Sequence, residues 1–234
     1  MTDHASPLPK LLTNNQLKIL ALIAMTADHV GLQLLPQYNI LRIIGRLAFP
    51  IFAYMIAEGC TYTKNRKRYL GTLAAMAALF QIVYFVAMGS VYQGIFVTFT
   101  LSVCLIFAID RAKTQKSPLA VLTAALTGVT VLFLTAILPA LLPHTDYAVD
   151  YGLWGTLLPV AVYLVPGRVW KLVASAIMLV PLALEWGGNQ WFALAALIPL
   201  ALYSGKRGKY RMKNLFYIYY PAHLVVIWLL DMLL

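Results

Sequence analysis

Of the 234 residues, 62% are hydrophobic and 11% are charged, against roughly 45–50% and about 25% in an ordinary soluble domain. That balance excludes a water-soluble fold of this size. The net charge of +10 is accounted for by membrane topology, which leaves no case for a nucleic-acid partner.

Apolar runs able to cross roughly 30 Å of hydrocarbon recur along the whole chain. They predict an all-α, polytopic helix bundle forming one domain over residues 1–234. A cytoplasmic tail at 1–14 comes first, and the apolar segment behind it continues past any plausible cleavage point, as in a retained helix rather than a signal peptide. About nine transmembrane helices are then expected, at 15–35, 40–59, 68–88, 94–109, 118–142, 152–165, 169–184, 190–203 and 214–233. The sixth and eighth fall short of the roughly 17 residues a regular span needs. The two cysteines, Cys60 and Cys104, lie within or at the ends of apolar runs and read as small core residues.

Charge orients this arrangement, because cytoplasmic loops carry the Lys/Arg excess. Alternate loops hold Lys64 to Arg68, Arg111 to Lys116, Arg168 with Lys171, and Lys206 to Lys213, all on the side of Lys10. The opposite loops hold Asp146, Asp150 and Glu185, and the only basic residues assigned to that half are Arg42 and Arg46. The N-terminus is therefore expected in the cytoplasm and the C-terminus outside, in a cell's inner membrane.

A charged group at the bilayer centre costs on the order of 2.5–3.5 kcal/mol on insertion scales, so each one calls for a reason. Four stand out: Asp28, His29, Arg46 and Glu58. With a rise of about 1.5 Å per residue, His29 lies roughly 21 Å from the cytoplasmic start of its span, and Arg46 about 10 Å below the outer rim. These depths nearly match in a core of roughly 30 Å. His223 lies roughly 14 Å from the outset of the last span, so these three could line one cavity. Successive helical residues point about 100° apart, so Asp28 does not orient His29. Arg46 is its expected partner instead. Lys18, three helical turns before His29, shares its face. Pro50 and Pro221 each free a carbonyl beside a polar candidate, and Phe216, Tyr220 and His223 fall on one face of the last span.

No phosphate-binding Gly-rich loop, Gly-x-Ser-x-Gly elbow or Cys/His set at metal spacing occurs, so no metal is expected. On the residues alone, a proton-coupled transporter of a small anionic solute ranks first, with Asp28, His29 and Glu58 relaying protons past Arg46. It lacks the paired halves many carriers show. A purely structural membrane subunit is a third reading.

The blocks Leu17-Lys18-Ile19 through Asp28-His29-Val30-Gly31 and Ile44-Gly45-Arg46-Leu47-Ala48-Phe49-Pro50-Ile51-Phe52 resemble the TraX family. Glu58-Gly59, Thr63-Lys64-Asn65, Arg68-Tyr69-Leu70, Asp150-Tyr151-Gly152 with Gly155, Phe216-Tyr217 and Tyr220-Pro221-Ala222-His223-Leu224 follow in the same order. That family is named for a conjugation protein that N-acetylates pilin, and is similar to a wider clan of membrane acyltransferases. The resemblance implies transfer of an acetyl group from cytoplasmic acetyl-CoA to an unidentified acceptor at the outer face, around a membrane-embedded histidine. His29 is then expected as base or acyl carrier, Asp28 and Arg46 as its polar frame, and His223 with Tyr220 as assistants. Lys18, Lys64, Arg66, Arg68, Lys209 and Arg211 are the expected donor contacts, since Coenzyme A carries several phosphates.

Overall fold

The computed structural model describes residues 9–209 and 213–233. Helices account for most of them: α1 (Asn14–Gln33), α2 (Asn39–Gly45), α3 (Ala48–Tyr62), α4 (Arg66–Met88), α5 (Ile95–Gln115), α6 (Pro118–Leu132), α7 (Leu138–Leu141), α8 (Gly152–Leu164), α9 (Arg168–Trp186), α10 (Leu197–Ala201) and α11 (Lys213–Asp231). A π-helical turn, Phe133–Ile137, joins α6 to α7, and a 3-10 helix, Gly188–Ala196, precedes α10. No strand occurs among the described residues beyond isolated bridges such as Leu12 with Tyr203.

Five stretches are long and apolar enough to cross a membrane: Asn39–Tyr62, Arg66–Val86, Ile95–Gln115, Pro118–Leu141 and Arg168–Trp186. The expected first span is the 20-residue α1, interrupted by Lys18, Asp28 and His29. The sixth is the 13-residue α8. The eighth departs from a regular span altogether, because it starts within the nine-residue 3-10 helix Gly188–Ala196 and only five residues follow as α-helix. The chain is thus an all-helical membrane protein.

The chain divides into two compact units. The first holds residues 1–55 and 167–234, the second 56–166. In the first, a capping box opens α1. The Thr13 side chain accepts from the Gln16 N–H, and Gln16 returns a bond to the Thr13 N–H at 2.8 Å, satisfying donors that a helix start leaves unpaired. The 204–209 loop closes over the same helix end. Its carbonyls at Lys206 and Arg207 accept from the N–H groups of Asn14 (2.8 Å) and Asn15 (3.3 Å). Arg168 ties this end down by donating to the carbonyls of Pro9 and Ala201. Leu22, Ala24 and Met25 of α1 bury themselves against Ala48 of α3, beneath Leu47, Phe52, Tyr219 and Tyr220.

Two glycines let α1 and α2 approach closely. A Cβ on Gly31 would lie 2.7 Å from the Leu41 Cβ, and one on Gly45 would overlap the Asp28 side chain. Between α2 and α3 the helix breaks instead of merely kinking. Arg46 N–H and Leu47 N–H bond to carbonyls only three residues back, at 3.2 Å each. Pro50 supplies the cause, since its ring has no N–H and would strike the carbonyl of Arg46 in a continuous helix. Placed in the first turn of a new helix, it costs nothing of that kind. Pro221, by contrast, is carried inside an unbroken α11.

The second unit is organised on α5. Ser102 on α5 donates to the Thr98 carbonyl at 2.9 Å and to the Thr156 carbonyl of α8 at 2.7 Å. Thr98 donates to the Asp150 carbonyl at 2.7 Å. Arg66 on α4 pairs with Asp110 on α5 and lies 5.0 Å from the centre of the Phe107 ring.

Candidate functional site

Asp28, His29, Arg46, Tyr220 and His223 of the expected polar centre lie in the first unit, and Glu58 does not. Asp28 and His29 are on the last turns of α1, at the level where α2 packs on it. Asp28 is clamped by two arginines. Arg42 Nη1 donates to Oδ2 at 2.8 Å and to the Asp28 carbonyl at 3.1 Å, while Arg46 Nη2 pairs with Oδ1. Arg46 also donates through Nε to the Arg42 carbonyl at 3.2 Å, and through Nη1 to Gln190 Oε1 at 3.3 Å. The pairing of Asp28 with Arg46 is the one the sequence suggested. Arg42, which the sequence assigned only to the outer half, joins it. The offset of four between Arg42 and Arg46 puts both on one helix face, and was the available signal for this.

The two histidines meet. Their ring centroids are 5.0 Å apart in an edge-on arrangement, and His223 Nε2 lies 3.4 Å from His29 Nδ1. Backbone carbonyls fix the tautomers, because a carbonyl can only accept. His29 Nδ1 lies 2.9 Å from the Met25 carbonyl and His223 Nδ1 lies 3.0 Å from that of Tyr219, so both Nδ1 atoms carry hydrogen in the neutral rings. His223 then turns the lone pair of Nε2 toward the His29 N–H. The lone pair of His29 Nε2 is left for other chemistry.

Aromatic residues of α11 hold His223. Tyr219 stacks on it at 5.4 Å, and Tyr220 meets it edge-on at 5.5 Å. Tyr220 was expected here, but Tyr219 was not. The Tyr219 hydroxyl is also 2.7 Å from Thr26 Oγ1, and Thr26 donates to the Leu22 carbonyl at 2.9 Å. This bond links α11 to α1 one turn before His29. Tyr219 precedes His223 by one helical turn, a spacing that could have revealed it.

The expected donor contacts fall in both units. Half-buried Lys18 and exposed Lys209 belong to the first, the latter in the loop that covers the start of α1. Lys64, Arg66 and Arg68 are exposed in the second, where Arg66 is engaged by Asp110. Arg211 lies outside the described residues. Glu58 is buried in the part of α3 that belongs to the second unit. Among the described residues no group of three or more His, Cys, Asp or Glu side chains could hold a metal ion.

No solved structure matches the chain. A probable fimbrial assembly protein, FimC of serogroup H1, from Dichelobacter nodosus is 27% identical over 91% of this chain and 93% of its own length. An uncharacterized protein of Rickettsia prowazekii (strain Madrid E) is 59% identical over 44 residues, 18% of each chain. The family model described as TraX protein matches residues 13–231, which takes in α1, the arginine clamp and α11 together, and the chain therefore belongs to the TraX family.

Proposed function

We propose that this protein is a membrane-embedded acetyltransferase that moves an acetyl group from cytoplasmic acetyl-CoA to an amine or hydroxyl at the outer side of an inner membrane. The observation that supports it most is the His29–His223 pair. One imidazole keeps a basic nitrogen open while its other nitrogen is held by a carbonyl and backed by a second imidazole.

In the base route, His29 Nε2 takes the proton of the acceptor as the acceptor's nitrogen or oxygen attacks the thioester carbonyl. The carbon–sulfur bond then breaks, and the imidazolium returns its proton to the CoA thiolate. In the carrier route the same nitrogen attacks the thioester, the carbon–sulfur bond breaks and the CoA thiolate leaves; the acceptor then attacks the acetyl group, its bond to Nε2 breaks, and the acceptor's proton passes to the thiolate. Either way, positive charge develops on His29 while Nδ1–H points at the Met25 carbonyl and at the His223 lone pair, both of which favour that charge. General-base catalysis of this kind contributes roughly 10²–10⁴ in rate.

On the proposed nine-span topology, with N-terminus inside and C-terminus outside, the basic loops lie on the side from which the CoA phosphates would arrive. Lys18, Lys64, Arg68, Lys209 and Arg211 are the proposed contacts, with Arg66 the weakest of the set because Asp110 already engages it. The fimbrial assembly relative makes a pilin-like subunit the first acceptor to try. A proton relay through Asp28 has less support, since both of its oxygens are occupied by guanidinium groups.

The test is acetyl transfer from radiolabelled acetyl-CoA by the purified protein in detergent, with release of free CoA read in parallel. Activity in the wild type that disappears in His29→Ala is the expected result. Turnover unchanged by that substitution would end the assignment of His29, and the absence of CoA release with any acceptor would end the transferase reading.

A further inference from the structure

Tyr219 holds His223 in three ways at once. Its carbonyl accepts from His223 Nδ1 at 3.0 Å, its ring stacks on the imidazole with 11° between the planes, and its hydroxyl reaches Thr26 of α1 at 2.7 Å. Thr26 sets the direction of that last bond, because its single hydroxyl hydrogen goes to the Leu22 carbonyl at 2.9 Å. A carbonyl can only accept, so the Tyr219 hydroxyl is the donor to Thr26 Oγ1.

Thr26 with Tyr219 and His29 with His223 thus form two polar rungs between α1 and α11. An offset of three on α1 and of four on α11 keeps each pair of residues on one face of its own helix. The numbers rise together on both helices, so α1 and α11 run in the same sense here and the rungs lie about one turn, roughly 5.4 Å, apart. A single rung leaves a helix free to slide and swivel about it. A second rung one turn away removes both freedoms.

Pro221 lies between the rungs, inside an unbroken α11. It has no N–H for the carbonyl of Tyr217, so the helix lacks a backbone bond at this level and bends there most readily. With α11 tied on one side of the proline only, that bend would change the distance from His223 to His29. Tyr219 supplies the tie before the proline, and its ring and carbonyl carry that tie across to the imidazole beyond it.

We propose that Tyr219, anchored on Thr26, is a positioning residue that holds His223 Nε2 against His29 Nδ1, which keeps the hydrogen of His29 on Nδ1 and leaves Nε2 as the reacting nitrogen. The word reacting rests on the transferase reading, whereas the placement of the two rings does not. The effect of Tyr219 on the chemistry passes through His223.

The test uses the full chain in detergent, isotopically labelled at the histidine ring nitrogens and followed by NMR, with the pair assigned by comparison with His29→Gln and His223→Gln. In the wild type both rings are expected as Nδ1–H tautomers, with the His223 Nε2 signal shifted by the hydrogen bond it accepts. In Tyr219→Phe that signal should move toward the position of a free ring nitrogen, and His29 should populate its Nε2–H tautomer as well. Thr26→Val removes the same bond from the other side and should give the same change, which keeps the test intact if Tyr219→Phe does not fold. Tyr92→Phe, which removes a tyrosine hydroxyl bond of the second unit, should leave both histidine spectra as they are, and so separates positioning from a general loss of stability. On the same preparations Tyr219→Phe should lower kcat for acetyl transfer about two- to tenfold, the effect of one ordinary hydrogen bond, with the KM for acetyl-CoA unchanged. In a His223→Ala background it should lower kcat no further. Histidine signals unmoved by Tyr219→Phe and Thr26→Val would overturn the proposal, and so would an equal loss of kcat with and without His223. If the wild type releases no CoA, the transferase reading alone fails, and the NMR comparison, which needs no turnover, still decides the role of Tyr219.

Discussion

His223 Nε2 lies 3.4 Å from His29 Nδ1, and each ring donates its own Nδ1–H to the carbonyl four residues earlier. The two histidines are therefore unequal, with His29 the reacting ring and His223 the supporting one. His29→Ala should reduce acetyl transfer by roughly 10²–10⁴. His223→Ala removes one hydrogen-bond acceptor, an interaction worth about 0.5–1.5 kcal/mol, and should lower kcat about two- to tenfold. Parallel kinetics on the two variants check this, and equal losses would contradict the ranking.

Asp28 is a carboxylate shared by Arg42 and Arg46. Removing it leaves two guanidinium groups facing each other in a largely buried site, where breaking such a pair costs about 3–5 kcal/mol. Asp28→Asn should lower Tm markedly. Arg42→Met should lower it less, because Asp28 keeps Arg46. A double-mutant cycle between positions 28 and 42, read by unfolding in detergent, should return a coupling of about 1 kcal/mol or more.

Gly45 abuts the Asp28 side chain so closely that an added methyl group would overlap it. Backbone on one side and a clamped carboxylate on the other leave no flexible neighbour to give way. Gly45→Ala should therefore push α2 off α1 and cost about 1–3 kcal/mol, with activity falling in step with the clamp. A Gly71→Ala control, where nothing lies within 4 Å, should be neutral or slightly stabilising as a helical substitution.

The 89–94 loop of the second unit hangs on two carboxylates outside the spans. Asp146 accepts from the Ser90 hydroxyl at 2.5 Å and from the Val91 N–H at 3.1 Å, which holds its carboxyl below the ordinary value of 3.8. A carboxyl lowered on folding stabilises above its unfolded value and loses that contribution as pH falls through the folded one. Protection of the Val91 amide against hydrogen exchange, corrected for intrinsic rate, should decline as pH falls below 3.8. In Asp146→Asn that decline should be absent.

Tyr92 donates to Asp150 Oδ1 at 2.7 Å. Burial first, and then the charge of Asp150, push its phenol well above the ordinary value of 10. A phenol raised on folding contributes fully below that ordinary value and loses the contribution as pH rises through the folded one. At neutral pH the bond is intact, and Tyr92→Phe should destabilise the second unit by about 1.5–3 kcal/mol, as expected for a hydrogen bond to a carboxylate. Thermal unfolding of the variant against wild type measures it.

Composition and periodicity alone determined that this is a helical membrane protein, and that Asp28, His29, Arg46, Glu58 and His223 call for an explanation. The reason is physical, since an ionisable group inside an apolar run is costly wherever the helix goes, and that cost is readable from one segment at a time. Helix spacing also limited which residues share a face, which is how Asp28 was separated from His29, and matching depth then pointed to Arg46 as its partner. Tertiary structure alone decided which face meets which. It brought Arg42 into the clamp, set Tyr219 rather than Tyr220 in the bond to Thr26, and carried Gln190 against Arg46 from 144 positions away. It also turned the Pro50 kink into a break, and the eighth span into a 3-10 helix. Contacts of this kind depend on how helices rotate and pack against one another, and a single helix's pattern holds no record of its neighbours.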